Sequence, residues 1–175
     1  MYEKQIESQN VFAGKIMNVR KDVVELVNGN TGEREIVELA GGVCVLPLKD
    51  DGNVVLVKQF RYAFDKVLLE LPAGKLEPSE DPFETGKREL LEETGYSANR
   101  YDFLGVMYPA PGCCTDVTYM YLARELVAGQ CSPDVDEFLE VVEIPFAELV
   151  SMVCRDEVPD AKTQLAVLKA EKLLR

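Results

Sequence analysis

Glu89, Glu92 and Glu93 lie three and four residues apart in the run Arg88-Glu89-Leu90-Leu91-Glu92-Glu93-Thr94-Gly95, so on a helix their carboxylates share one face. Crowded in this way they repel one another and raise each other's pKa unless positive charge sits among them. A hard divalent cation such as Mg²⁺ meets that need, because it takes oxygen ligands and keeps positions for water and phosphate oxygens. A solvated acidic face is the commoner meaning of a glutamate run. That reading accounts for none of the features around this one: Gly74, Arg88 and a helix with marked ends.

Those ends are legible residue by residue. Asp81 is a good N-cap, Pro82 suits the first helical position, and Glu84 completes an Asp-x-x-Glu capping-box pattern. Gly95 stops the helix in the left-handed position that glycine adopts without penalty.

The rest of the composition narrows the chemistry. The chain has 175 residues, enough for one domain with a sizeable core, and 47% of them are apolar. A net charge of −12 argues against nucleic acid or an anionic membrane as partner, and a negatively charged small substrate would need metal ions as a bridge. There is no histidine, which removes every triad built on imidazole. A general base here is a carboxylate, a lysine, a tyrosine or a metal-bound hydroxide. Cys44, Cys113, Cys114, Cys131 and Cys154 form no Cys-x-x-Cys pair, and they read as reduced thiols, mostly in or near the core, of a cytoplasmic protein. The N-terminus shows no signal peptide, and no apolar stretch approaches the length of a membrane span.

Taken in order, residues 1–39 read as a small antiparallel sheet, with β-rich runs at Val11–Val19, Val23–Val27 and Glu33–Leu39 and a turn at Asn28-Gly29-Asn30. Such a sheet has a face to cover, on the main domain or on a second subunit. Residues 40–175 read as the main domain. A hairpin turning at Asp51-Gly52-Asn53 opens it, and Leu68–Pro72 leads into the glutamate helix. Strands follow at about Asp102–Tyr108, Val117–Glu125 and Phe138–Ile144. Pro145 opens a helix to about Val153, and Asp160 caps a last one, with Leu165, Leu168 and Leu173 facing the core. This order predicts an α/β sandwich, a mixed sheet flanked by helices.

Gly74, Glu80, Arg88, Glu89, Leu90, Glu92, Glu93 and Gly95 stand in the register of the Nudix box: Gly, five residues, Glu, seven residues, Arg-Glu, an aliphatic, any residue, Glu-Glu, any residue, Gly. Tyr96 follows where an aliphatic residue is commoner. The chain resembles a Nudix hydrolase, and the resemblance implies an α-β-α sandwich and hydrolysis of a nucleoside diphosphate linked to another moiety. It implies that Glu89 and Glu93, with Glu92 in support and the carbonyl of Ala73, hold Mg²⁺ or Mn²⁺, and that Glu93 is catalytic. Arg88 would fix a carboxylate in place, and Glu80 would be structural.

The flanks resemble the ADP-ribose pyrophosphatases. Glu70-Leu71-Pro72-Ala73-Gly74 precedes the box, and Pro111 lies 15 residues past Tyr96. Cys113 and Asp116 depart from that pattern, standing where those enzymes often have an aromatic residue and a Glu. By the same resemblance, Arg61 contacts the diphosphate, Glu70 contributes to substrate binding, and Arg34, beside Glu35, reaches the adenine across a homodimer interface. Asp134 to Glu140 resembles an acidic loop that supplies a base, Glu137 or alternatively Asp136. The implied reaction is cleavage of ADP-ribose to AMP and ribose 5-phosphate. The alternatives are another nucleotide sugar, such as GDP-mannose or ADP-glucose, and a nucleotide-sensing module that does not cleave. The three retained box glutamates speak against the sensor.

Overall fold

Val43, Cys44, Val45 and Leu46 are buried one after another along β4 (Gly42–Pro47), as expected of a strand covered on both faces. In the computed structural model, which describes residues 1–132 and 138–175, β4 lies at the centre of the larger of two units, Gly42–Met107 with Thr118–Arg175. It pairs in parallel with β9 (Thr118–Ala128) and antiparallel with β7 (Ala73–Lys75), and β8 (Tyr96–Met107) completes a four-stranded mixed sheet in the order β7-β4-β9-β8. A second sheet runs β10-β5-β6, from Leu139–Pro145, Asn53–Arg61 and Lys66–Glu70, all antiparallel. With three α-helices among the described residues, this is a mixed α-and-β architecture.

The hairpin expected at Asp51-Gly52-Asn53 is half right. The turn forms, with Gly52 N–H donating to Lys49 O at 3.0 Å, but its two strands part into different sheets. Between them stand the isolated bridge of Leu48 with Val54 and the bond from Lys49 N–H to Asn53 O at 2.9 Å. Each strand pairs with one distant in sequence, β4 with β9 and β5 with β10, and turn chemistry alone does not reveal these partners.

Alternate residues of β4 serve two cores. Val43 and Val45 pack with Leu90 of α1 (Pro82–Thr94), whereas Cys44 and Leu46 join Leu56, Met120, Leu122, Leu149 and Val167 on the other face. α1 approaches β4 so closely that a Cβ on Gly86 would sit 3.0 Å from Val43 Cγ1, which explains a glycine inside a helix.

α2 (Phe146–Cys154) follows Pro145, and α3 (Ala161–Leu174) is capped by Asp160, both as expected. The buried face of α3 is not the expected one. Thr163, Ala166, Val167 and Ala170 turn inward, Leu165 is partly buried against the core, and Leu168 and Leu173 are exposed. Small side chains let the helix lie close to the sheet, a pattern that leucine spacing cannot show.

The smaller unit comprises Met1–Gly41 with Tyr108–Val117, so it also takes in a segment read from sequence as part of the main domain. Its sheet is antiparallel, ordered β1 (Lys4–Ala13), β2 (Asn18–Glu25), β3 (Thr31–Glu38). The run expected as one strand, Val11–Val19, instead straddles the β1–β2 turn, where Gly14 N–H donates to Met17 O at 3.0 Å. Gly29, at φ 82°, makes the second turn as expected. The Pro111 segment docks on β3, with Val37 N–H donating to Cys113 O at 2.8 Å and Thr115 N–H to Val37 O at 2.9 Å. All five cysteines are free, and only Cys44 is buried, which corrects the expectation of mostly core thiols.

Candidate active site

The helix that presents the glutamates is built as its sequence suggests. Asp81 accepts from Phe83 N–H at 2.9 Å and Glu84 N–H at 3.4 Å, and Gly95 closes the helix at φ 74°. Glu84 departs from the capping-box role, since its carboxylate pairs with Lys87 at 2.8 Å. Glu89 and Glu93, one turn apart, are both buried. Glu93 Oε2 accepts the N–H of Ala73 at 2.9 Å. The Glu89 carboxylate lies against Gly74: a Cβ there would stand 1.8 Å from Glu89 Cδ and 1.9 Å from Oε1. The glycine of the motif is therefore required by the glutamate of the helix, and the two carboxylates meet the chain at adjacent residues, 73 and 74.

Arg88 gathers the remaining acids. Its Nε and one terminal nitrogen reach the two oxygens of Glu80 at 3.1 and 3.2 Å, and its other terminal nitrogen lies 2.9 Å from Glu89 and 2.8 Å from Glu92. The fork thus holds three carboxylates in fixed orientations, as a planar guanidinium can. The hydrogen bonds from Arg88, with a smaller contribution from Thr85, hold the Glu80 carboxyl down to about 2. Arg88 in turn is held more firmly charged, chiefly by Glu80 and then by Glu89 and Glu92, against the opposing effect of its own partial burial.

A second ionic group lies where β6 ends. Arg61 grips Glu70 bidentately, Nε to Oε1 at 2.6 Å and a terminal nitrogen to Oε2 at 2.7 Å. Lys162 also donates to Glu70 Oε2, and to Asp160 at 2.9 Å. Burial alone would raise the Glu70 carboxyl, but Arg61 and Lys162 outweigh it and keep it below the usual carboxylate value. Cys44 lies close enough to feel the charges of Lys162, Asp160, Glu70 and Glu93, yet burial dominates and pushes its thiol up to about 12. It is an inert core thiol.

Thr163 ties this group to the glutamate helix's partner strand. Its hydroxyl donates to Asp160 at 2.6 Å and accepts the N–H of Leu71 at 2.9 Å, two residues before Ala73. Lys162 and Thr163 were missed from sequence. The only local signal there is the helix cap at Asp160, which says nothing of a partner about 90 positions earlier.

Arg34 belongs to the smaller unit, on β3, where Glu3 takes its fork at 2.9 and 2.5 Å. Glu137 and Asp136 lie outside the described residues. Just before them in sequence, Ser132 N–H donates to Glu92 O at 3.0 Å and the Cys131 thiol lies 3.0 Å from the same carbonyl, at the C-terminal end of α1.

Among the described residues, no three acidic or thiol groups already converge into a metal cage. The donor set is nevertheless that of a hard divalent cation: carboxylates of Glu89, Glu92 and Glu93 beside the main chain of Ala73 and Gly74, with Arg88 reaching both Glu89 and Glu92.

Residues 38–167 match the family described as the NUDIX domain, and residues 3–37 match the nucleoside diphosphate sugar hydrolase N-terminal domain. An ADP-ribose pyrophosphatase of Bacillus subtilis (strain 168) is 40% identical over 167 residues, covering 94% of this chain and 90% of its own. A methanol dehydrogenase activator of Bacillus methanolicus is 36% identical over 167 residues with the same coverage. A crystal structure of an ADP compounds hydrolase superposes with a TM-score of 0.88 over 99% of this chain and 95% of its own, at 22% identity, a likeness of fold.

Proposed function

The chain belongs to the NUDIX family of hydrolases, and from that premise we propose that it cleaves the diphosphate of ADP-ribose to give AMP and ribose 5-phosphate. The observation that carries this reading is the meeting of Glu89 and Glu93 with the main chain at Ala73 and Gly74. Glu89 and Glu93, with Glu92 and the Ala73 carbonyl, would hold Mg²⁺, with Mn²⁺ able to substitute. Such an ion neutralises a diphosphate and lowers the pKa of a bound water for in-line attack at phosphorus.

The chain's own groups do the positioning. Arg88 fixes the directions of Glu89 and Glu92, and the absent Cβ of Gly74 leaves room for the Glu89 carboxylate. Arg61 is the diphosphate clamp, suited to it by a fork that meets two oxygens at once. Glu70, buried behind Arg61, contributes to substrate binding through that arginine. Glu137, or alternatively Asp136, supplies the base, and Glu93 is the catalytic carboxylate of the box.

Residues 1–39 form a dimerisation element ahead of a hydrolase domain at 40–175, and Arg34 serves the partner's adenine pocket. The support is an outer strand, β1, exposed along its length with Ile6, Val11 and Phe12 uncovered, and the match of this segment to the nucleoside diphosphate sugar hydrolases. A monomeric mass by light scattering would remove that part of the reading. The protein is proposed to work in the cytoplasm; no helix among the described residues is long and apolar enough to cross a membrane.

The test is a panel of nucleoside diphosphate sugars with phosphate release coupled to a phosphatase, with Mg²⁺ and with chelator. ADP-ribose should dominate and chelator should stop the reaction. Preference for GDP-mannose or ADP-glucose would keep the chemistry and overturn the substrate. No cleavage of any member would sink the enzyme reading.

A further inference from the structure

Arg61 holds Glu70 with one edge of its fork, and to present that same edge to a diphosphate it would have to release the carboxylate. Nε and one terminal nitrogen are both committed to Glu70. The two partners differ in freedom: the Arg61 side chain is 39% exposed, whereas that of Glu70 is 2% exposed. Arg61 can swing toward solvent and a ligand; Glu70 has nowhere to go. A buried carboxylate stripped of its cation is costly. An exchange of partners by Arg61 therefore needs a second cation to keep Glu70 satisfied.

Lys162 is placed to do so. It donates to Glu70 from the side opposite in sequence, out of the first turn of α3, and its own side chain is 17% exposed. Asp160 holds it at 2.9 Å, and Asp160 is itself fixed as the cap of α3 by Thr163 N–H at 3.0 Å and Thr163 Oγ1 at 2.6 Å. With Arg61 at home, Glu70 and Asp160 face Arg61 and Lys162, and Glu93 lies near enough for its charge to act on Arg61. With Arg61 away, Lys162 still lies between both carboxylates. Burial opposes the charge on Lys162, but Asp160 and Glu70 more than offset it, so the lysine stays protonated.

We propose that Lys162 is a positioning residue for diphosphate binding, the resident counter-ion of Glu70 that allows Arg61 to exchange its carboxylate partner for the ligand's diphosphate oxygens. The inference rests on Arg61 as the diphosphate clamp, and its effect is on ligand affinity rather than on the chemical step.

Methylenediphosphonate, which has the diphosphate geometry and resists hydrolysis, serves as the probe, titrated by calorimetry against the full-length protein in Mg²⁺. Lys162→Met should weaken binding about tenfold or more, and raise KM for the hydrolysed substrate with kcat within about threefold of wild type. In a Glu70→Gln background the carboxylate to be compensated is gone, and adding Lys162→Met should weaken binding by less than about threefold. Lys162→Gln gives a second neutral variant should the methionine not fold, with circular dichroism and thermal melting as the check. An equal loss in both backgrounds, or a lowered Tm with unchanged affinity in Lys162→Met, would overturn the proposal. A wild type that cleaves no nucleotide sugar but binds the probe with this dependence on Lys162 would end the ADP-ribose reading and leave this one standing.

Discussion

Arg88 and Arg61 each sit in a nest of carboxylates, and the two nests are charged differently. Around Arg88 one guanidinium serves Glu80, Glu89 and Glu92, with Glu93 close by on the same helix. Around Glu70 two cations, Arg61 and Lys162, meet the carboxylates of Glu70 and Asp160, and Arg61 is the most exposed of the four. In the first nest one guanidinium holds three carboxylates in fixed directions, and carboxylate oxygens are the ligands a hard divalent cation takes. The contrast sets the carboxylate-rich nest proposed to hold an ion apart from the nest proposed to hold the diphosphate.

Three substitutions probe that contrast. Glu93→Gln removes one charge from the first nest while its amide oxygen can still accept the Ala73 N–H. Hydrolysis should fall by at least about 10³-fold, since a metal's electrostatic contribution is worth several kcal/mol, with Tm little changed. Full activity with unaltered metal dependence would break the assignment.

Gly74→Ala sets a methyl where the Glu89 carboxylate lies, at 1.8 Å from its carbon. The carboxylate must move, and a displacement of that size should cost about 10²-fold in rate, with the Mg²⁺ concentration needed for half-activity rising in parallel. A variant indistinguishable from wild type in both would mean that Glu89 does not need the position it holds.

The smallest effect belongs to Glu80. Its folded pKa, about 2, lies below the ordinary 4.5, so the stability it lends is full above the ordinary value and drains away as pH falls toward about 2. Glu80→Gln should lower Tm slightly at pH 6 and flatten the fall in Tm between pH 6 and pH 2.5. An acid limb as steep as that of wild type would show that the Arg88 fork contributes nothing through this residue.

Local chemistry made part of this legible from sequence. The caps at Asp81 and Asp160, the stop at Gly95 and the shared face of the glutamates depend on neighbours within a turn or two, and all were readable. Strand partners were not. The β4–β5 hairpin opened into two sheets because pairing with β9 and β10 won over a good turn, and Val11–Val19 hid a turn at Gly14 that no Asn-Gly or Asp-Gly pair marked. Leu168 and Leu173 misled because the inward face of α3 uses alanine and threonine. In the site, the box residues were found because they are contiguous. Lys162 and Thr163 were missed because their partners, Glu70 and Leu71, are 92 residues away in each case.

That last separation fixes an order of assembly. The strand that carries Ala73 is tied through Leu71 to the hydroxyl of Thr163, 92 residues further along the chain. When the glutamate helix leaves the ribosome, that anchor has yet to be made. The motif is thus synthesised well before the segment facing it can be fastened.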